Sequence, residues 1–191
     1  MVIRLASGSL TRAKMLKEAK VEFIQTPVDF NEESIKADTP RGYVYYVAKG
    51  KLLLAKEKFG LNIPILTADS VVVKGGKILK KPKDINEARE LLLQQSGSEI
   101  SIVTSIHYES KNLYFCDTSA TYYQFAPFDK EDLNRYLNSK EWEGKAGGCM
   151  VEGFCKKYIK RVNGLESCAM GLTLEKLLVW LEFDSELQKR D

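Results

Sequence analysis

A chain of 191 residues with 44% hydrophobic and 29% charged side chains has an ordinary globular composition and enough length to bury a real core. Its formal net charge of +3, from 29 basic and 26 acidic residues, is too mild to argue for nucleic-acid binding. Charges also interrupt every apolar run before it reaches membrane-spanning length.

Residues 1–6 read as a short buried strand and 11–20 as a helix, joined by the hydroxyl-rich turn Ala6-Ser7-Gly8-Ser9. Ser7 or Ser9 can cap that helix by accepting a first-turn N–H. The remaining N–H groups and the positive end of the helix dipole then face out of the turn, Gly8 leaves room for close approach, and Arg12 adds a full charge. Those are the parts of an anion site, and equally those of an ordinary capped helix. Residues 21–26 read as a second strand stopped by Pro27. Residues 28–38 are an acidic loop with Asp29, Asn31, Glu32, Glu33 and Asp38, suited to a hard cation or simply solvated. Pro40 suits the first turn of a long helix ending at Gly60. Val44, Val47, Leu52, Leu54 and Ala55 recur on it near helical spacing, and Lys49, Lys51, Lys56 and Lys58 decorate the rest.

Residues 63–67 form the continuous apolar run of an interior strand, ending at Ala68-Asp69-Ser70. Residues 71–79 read as a hairpin turning on Gly75-Gly76. Residues 85–95 read as a helix, 99–109 and 113–125 as paired strands, and 129–138 as a helix capped by Asp129. The glycine-rich stretch 144–153 is a flexible or functional loop. Residues 156–162 read as a strand, 172–183 as a closing helix, and the charged tail 184–191 as frayed. Strands and helices interspersed along one domain predict an α/β or α+β class with a mixed sheet.

The chain carries no P-loop, no Gly-x-Gly-x-x-Gly after a strand and no Gly-x-Ser-x-Gly elbow, and its single histidine, His107, argues against a hydrolase triad. Its four cysteines form no Cys-x-x-Cys pair, which argues against structural zinc. What remains is a set of polar residues near element ends. Asp69, after a buried strand, stands where open α/β sheets place ligands; it could hold a metal, take a proton from water, or only shape a turn. Pro82 fixes the backbone of Lys81 in an extended form. Arg12, Lys51 and Lys81 together would suit a polyphosphate, and Glu32 could join Asp69 on a metal. Arg4 interrupts the opening apolar residues, so no secretory leader is read and a cytoplasmic protein with reduced thiols is expected.

These residues resemble the Maf (septum-formation inhibitor) family of nucleotide pyrophosphatases. The matching stretches run in the family's order: Leu5-Ala6-Ser7-Gly8-Ser9-x-x-Arg12, Asn31-Glu32, Ala48-x-x-Lys51, Ala68-Asp69-Ser70-Val71-Val72, Lys81-Pro82, Ser96-Gly97, Lys145-Ala146-Gly147, Glu152-Gly153, Ser167 and Gly171-Leu172. The resemblance implies an elongated α/β fold like that of inosine triphosphatases, with a mixed β-sheet flanked by helices and two lobes around a central cleft. It also implies Mg²⁺- or Mn²⁺-dependent cleavage of a nucleoside triphosphate to monophosphate and pyrophosphate, with a possible homodimer and a link to division arrest. On this pattern Ser7, Ser9, Arg12, Lys51 and Lys81 serve the phosphates, Glu32 and Asp69 hold metal or activate water, and Glu152 faces the base. The chain departs from the family at Leu10-Thr11, where Pro and Arg are usual, at Asn31 for Asp, and at Glu152 for Gln. A carboxylate only accepts hydrogen bonds, which suits the two adjacent donors of guanine better than the edge of uracil or thymine. The branch of the family acting on 7-methyl-GTP also has Glu there, so a guanine-type substrate is expected over dTTP or UTP. Two other readings compete: a non-catalytic nucleotide-binding regulator of septum formation, and an RNA-binding domain using Lys74, Lys77, Lys80, Lys81 and Lys83. The second lacks the interleaved aromatic residues that single-strand binding favours.

Overall fold

The computed structural model describes residues 1–189. Its elements are β1 (Ile3–Leu5), α1 (Leu10–Glu18), β2 (Phe23–Gln25), α2 (Pro40–Phe59), β3 (Ile65–Lys74), β4 (Lys77–Leu79) and α3 (Ile85–Gln95). They continue with β5 (Glu99–Glu109), β6 (Tyr114–Phe125), α4 (Lys130–Ser139), β7 (Ile159–Asn163), α5 (Glu166–Ala169) and α6 (Leu174–Leu187). The helices begin where the sequence offers caps: Ser9, Thr39, Asp84 and Asp129 each accept an N–H from the first turn of α1, α2, α3 and α4.

Seven strands form one mixed sheet in the order β2-β1-β3-β5-β6-β7, with β4 paired to β3. The β1–β2 and β1–β3 pairs are parallel and the rest antiparallel. Helix α2 lies on one face, burying Val44, Val47, Ala48, Leu52 and Ala55. Apolar side chains gather in separate clusters. One joins Leu5, Leu16, Leu66, Ile106 and Leu177, and another joins Val72, Ile100, Ile102, Tyr123 and Phe125. The cavity described below takes Val72 and Ile102 from the second of these and Ala6 from a further cluster with Leu52 and Ile65. Among the described residues no helix is long and apolar enough to cross a membrane.

Several boundaries move by a residue or two and α5 falls in a stretch given no element from the sequence; three differences have a physical reason that bears on the account. Asp69 does not follow a strand. Strand β3 runs through it without a break, because β5 pairs with every residue from Ile65 to Val73 and sets Asp69 opposite Ser105. On its other side β3 is paired only at its two ends, to β1 at Ile65 and Leu66 and to β4 from Val72 onward. Asp69 therefore sits in a notch between two partner strands, which exposes it to a ligand as a strand end would. The stretch 156–162 is strand only from Ile159. Before it, Phe154–Tyr158 curls into a 3-10 turn, with the Lys156 N–H donating to the Gly153 carbonyl, and β6 offers pairing only from there. The tail does not fray at Asp184: α6 continues to Leu187 because Asp184 is fully buried and accepts hydrogen bonds from Tyr108 and Ser110. Arg190 and Asp191 lie outside the described residues.

Candidate active site

The serine turn is built as its sequence suggests, with the two serines doing different things. Ser9 caps α1 by accepting the Arg12 N–H at 3.3 Å. Ser7 Oγ accepts from the Ser9 N–H at 3.3 Å and from Arg12 Nη1 at 2.9 Å, so both lone pairs are used and only its proton remains to be offered. The turn's carbonyls are pinned from β2 by Gln25, whose amide donates to Ser7 O at 2.8 Å. Nothing in the sequence marks Gln25 for this task.

Arg12 is held in a closed ring of partners. Its Nε donates to the Gly171 carbonyl at 2.9 Å and its Nη2 to Ser70 Oγ at 3.1 Å. Thr104 commits its one proton to the Cys168 carbonyl at 2.7 Å, so Ser70 must donate to Thr104 across their 2.8 Å contact, which turns a Ser70 lone pair toward the guanidinium. The Gly171 N–H returns to the Cys168 carbonyl at 3.0 Å and closes the ring. Gly171 has φ +104, and a Cβ there would meet Arg12 Nε at 3.0 Å, so glycine is required on both counts. Burial lowers the Arg12 pKa, and the charges of Asp69 and Glu32 oppose that shift.

Lys51 falls on the buried stripe of α2, four residues after Val47 and four before Ala55, and its side chain is only 14% exposed. Its Nζ lies 2.6 Å from Glu32 Oε1 and 2.9 Å from Asp69 Oδ1, so one ammonium ties the acidic loop to β3. Glu32 itself opens a 3-10 turn, Glu32–Ser34, capped by Asn31, whose side chain accepts the Glu33 N–H. Asn caps as well as Asp, so the departure at this position keeps the local geometry. The loop is seated by Phe30, whose ring occupies the space over Gly50: a Cβ on Gly50 would fall 2.3 Å from it. That accounts for a glycine inside a helix, where it costs about 1 kcal/mol against alanine.

The two carboxylates are driven apart in acidity. Burial raises the Asp69 carboxyl above its ordinary range, outweighing the pull of Lys51. Burial also acts on Glu32, but the hydrogen bond and charge of Lys51, with Lys81 and Arg12, bring it below that range. Pairs split in this way are characteristic of sites that must hold one charge and move one proton.

A cavity of about 680 Å³ opens over these groups, of a size suited to a nucleotide. All eight residues singled out from the sequence line it: Ser7, Ser9, Arg12, Glu32, Lys51, Asp69, Lys81 and Glu152. Lys145, which sequence reasoning gave no role, lies 3.9 Å from Glu152 Oε1 and donates to Thr11 Oγ1 at 3.5 Å, bridging the far wall. Lys74, by contrast, turns away from the cavity and donates to the Gln94 carbonyl.

A family model described as Maf-like protein matches residues 2–183. The chain belongs to the Maf family. Among its curated relatives, the nucleoside triphosphate pyrophosphatase of a Nitratiruptor species is 54% identical over 178 residues, covering 92% of this chain and 96% of the relative. The nucleoside triphosphate pyrophosphatase of Helicobacter pylori (strain Shi470) is 39% identical over 187 residues, covering 98% of each. A solved structure, the Staphylococcus aureus Ham1 protein, superposes with a TM-score of 0.46 at 16% identity over 66% of this chain and 72% of that one.

As a place for a metal, this Maf site offers oxygen donors only. Among the described residues no group of three or more His, Cys, Asp or Glu side chains converges on a point. Glu32 and Asp69 still fit a hard divalent cation, because Mg²⁺ is commonly held by one or two carboxylates with water and substrate phosphates completing its shell. Lys51 takes Oε1 of one and Oδ1 of the other, which leaves Oε2 and Oδ2 for that purpose.

Proposed function

We propose that this cavity hydrolyses a nucleoside triphosphate to the monophosphate and pyrophosphate by attack of water on the α-phosphorus. The observation that carries the reading is the convergence of Arg12, Lys51 and Lys81 with two carboxylates of opposite acidity shift on one nucleotide-sized cavity. Both closely matched relatives bear the name of that reaction.

Each group has a task its geometry suits. Ser7 offers its uncommitted proton to a phosphate oxygen, beside the first-turn N–H groups of α1. Arg12 and Lys81 neutralise charge that grows on the leaving pyrophosphate, and the ring around Arg12 fixes the guanidinium before substrate arrives. Glu32, kept below the ordinary carboxylate range, stays charged next to the cations. Asp69, kept above it, is the better proton acceptor for the attacking water. Lys51 holds both carboxylates in register. Glu32 and Asp69 would also hold Mg²⁺ or Mn²⁺, which when bound supplies Lewis-acid polarisation of the phosphate and a lower pKa for water.

On the far wall Glu152 and Lys145 form an acceptor beside a donor. Guanine presents two adjacent donors flanked by an acceptor oxygen, so Glu152 would take the donors and Lys145 the oxygen. This favours a guanine-type or modified purine triphosphate over dTTP and UTP.

The test is product analysis over a panel of canonical and modified triphosphates, with and without Mg²⁺ or Mn²⁺, for the parent and Glu152→Gln. Metal-dependent formation of equal monophosphate and pyrophosphate is expected. The ratio of GTP-type to UTP turnover should fall about tenfold in the variant, the scale of one charge-assisted hydrogen bond. An unchanged ratio would overturn the base assignment. Nucleotide binding without turnover would instead support a regulator of septum formation.

A further inference from the structure

Cys149 and Cys155 are free thiols, both buried, with their sulfurs 3.4 Å apart. They bracket Glu152. Cys149 follows the 3-10 turn Ala146–Gly148, and Cys155 lies in the turn Phe154–Tyr158. The Cys155 and Gly153 N–H groups both donate to the Met150 carbonyl at 3.1 Å, which folds the segment back on itself and brings the two sulfurs together. Cys149 lines the nucleotide cavity, whereas Cys155 is fully enclosed among the side chains around Phe125 and Tyr158. The other two cysteines are placed differently: Cys168 is buried near the Ile102 carbonyl, and Cys116 is exposed on β6.

We propose that Cys149 and Cys155 form a modification site, a dithiol that an oxidant of the peroxide class, entering through the nucleotide cavity, closes to a disulfide. Cys149, the sulfur that faces the cavity, attacks a peroxide oxygen. The O–O bond breaks, the first water leaves, and Cys149 becomes a sulfenic acid. Cys155 then attacks the Cys149 sulfur, the S–S bond forms, and the second water leaves. The two thiol hydrogens depart in the two waters, and the peroxide accepts the two electrons. Closure brings the sulfurs from 3.4 Å to about 2.05 Å, a shift within reach of a looped segment with no strand pairing to break. The hydrogen bond to Cys155 and burial both raise the Cys149 thiol, so oxidation is slow at neutral pH and quickens as pH rises.

The new bond ties the two ends of the segment that presents Glu152, and so shifts that carboxylate against Lys145. Its effect on turnover rests on the proposed function; the bond itself does not. The experiment treats the full chain with hydrogen peroxide, blocks remaining thiols and digests with trypsin. Residues 146–156 emerge as one peptide between Lys145 and Lys156, so both sulfurs report in one mass. The expected result is a loss of about 2 Da in that peptide, reversed by dithiothreitol and suppressed by a non-hydrolysable nucleoside triphosphate in the cavity. The oxidised protein should show a KM raised about threefold to tenfold, restored by reductant and unmoved by peroxide in Cys149→Ser or, should serine not fold, Cys149→Ala, which remove the attacking thiol. Peptide 146–156 left unclosed while the Cys116 peptide reacts would overturn the proposal, and closure with an unchanged KM would overturn its coupling to Glu152. Because the mass and protection readouts need no turnover, closure in a protein that hydrolyses nothing would support this site and count against the functional reading alone.

Discussion

Asp184 and Asp69 are both buried, 0% and 7% exposed, yet they keep different company. Asp184 accepts from Tyr108 at 2.6 Å, Ser110 at 2.8 Å and the Gln188 amide at 3.1 Å, all neutral donors from the end of β5, the turn after it and the end of α6. It is fully enclosed, and its hydrogen bonds fasten a helix to a sheet. Among the described residues the Asp69 carboxylate has Lys51 as its one hydrogen-bond partner, shared with Glu32, and it opens on the cavity. A polar group whose bonds are completed within the protein adds stability. One left partly unsatisfied at a cavity wall is held in readiness for something that is not protein.

Removing each carboxylate breaks the comparison in a different way. Asp69→Asn should lower kcat/KM by about a thousandfold or more with an unchanged circular dichroism spectrum, since it removes the proton acceptor and a metal oxygen together. In the parent, kcat/KM should fall on the acid side with a midpoint above the ordinary aspartate value of about 3.9. The same raised pKa makes a stability claim. Asp69 favours the folded state only below the unfolded value, and that contribution is lost as pH rises through the folded one. Asp69→Asn should therefore melt higher than the parent at neutral pH and show no such gain near pH ~3. Asp184→Ala should do the reverse. It should lower stability by about 2–4 kcal/mol in denaturant titration, leaving two hydroxyls without their acceptor, while kcat/KM stays within about twofold.

The smallest effect sharpens the contrast at Arg12. Thr104 is a positioning residue, fully buried and acting on the guanidinium through Ser70 and, by way of the Cys168 carbonyl, through Gly171. Thr104→Val keeps its shape and removes one hydroxyl. KM and the inhibition constant for pyrophosphate should rise about fivefold with kcat nearly unchanged, and Thr104→Ser should restore both. Equal losses in Val and Ser, tracking the melting temperature, would mean that the hydroxyl serves packing alone.

Much of this site was legible because its residues sit on recognisable local devices. Ser9 is one of the two serines that could cap α1, and it does so; Asn31 caps the turn at Glu32, a role the acidic loop did not announce. Lys51 reads like Lys49, Lys56 and Lys58 until the family pattern Ala48-x-x-Lys51 sets it apart, and its place on the buried stripe of α2 is seen only in the structure. Asp69 was placed at a strand end because a polar pair after an apolar run looks like a stop. The ladder to β5 carries the strand through it, and only the uneven pairing on the opposite edge makes the notch. The ring around Arg12 could not be read at all, since it joins residues 58 and 159 positions apart through hydroxyls and carbonyls that any sequence contains. Asp184 was misjudged for a similar reason. A charged residue near the end of a chain reads as solvated until the hydroxyls of Tyr108 and Ser110 are seen to meet it.

The measurement that tests the account most directly is hydrolysis of a nucleoside triphosphate in heavy-oxygen water with Mg²⁺ present, locating the label by mass spectrometry. Attack on the α-phosphorus by water activated at Asp69 predicts one labelled oxygen on the monophosphate, unlabelled pyrophosphate, and loss of labelling in Asp69→Asn. Label on the pyrophosphate, or release of orthophosphate as the first product, would contradict it.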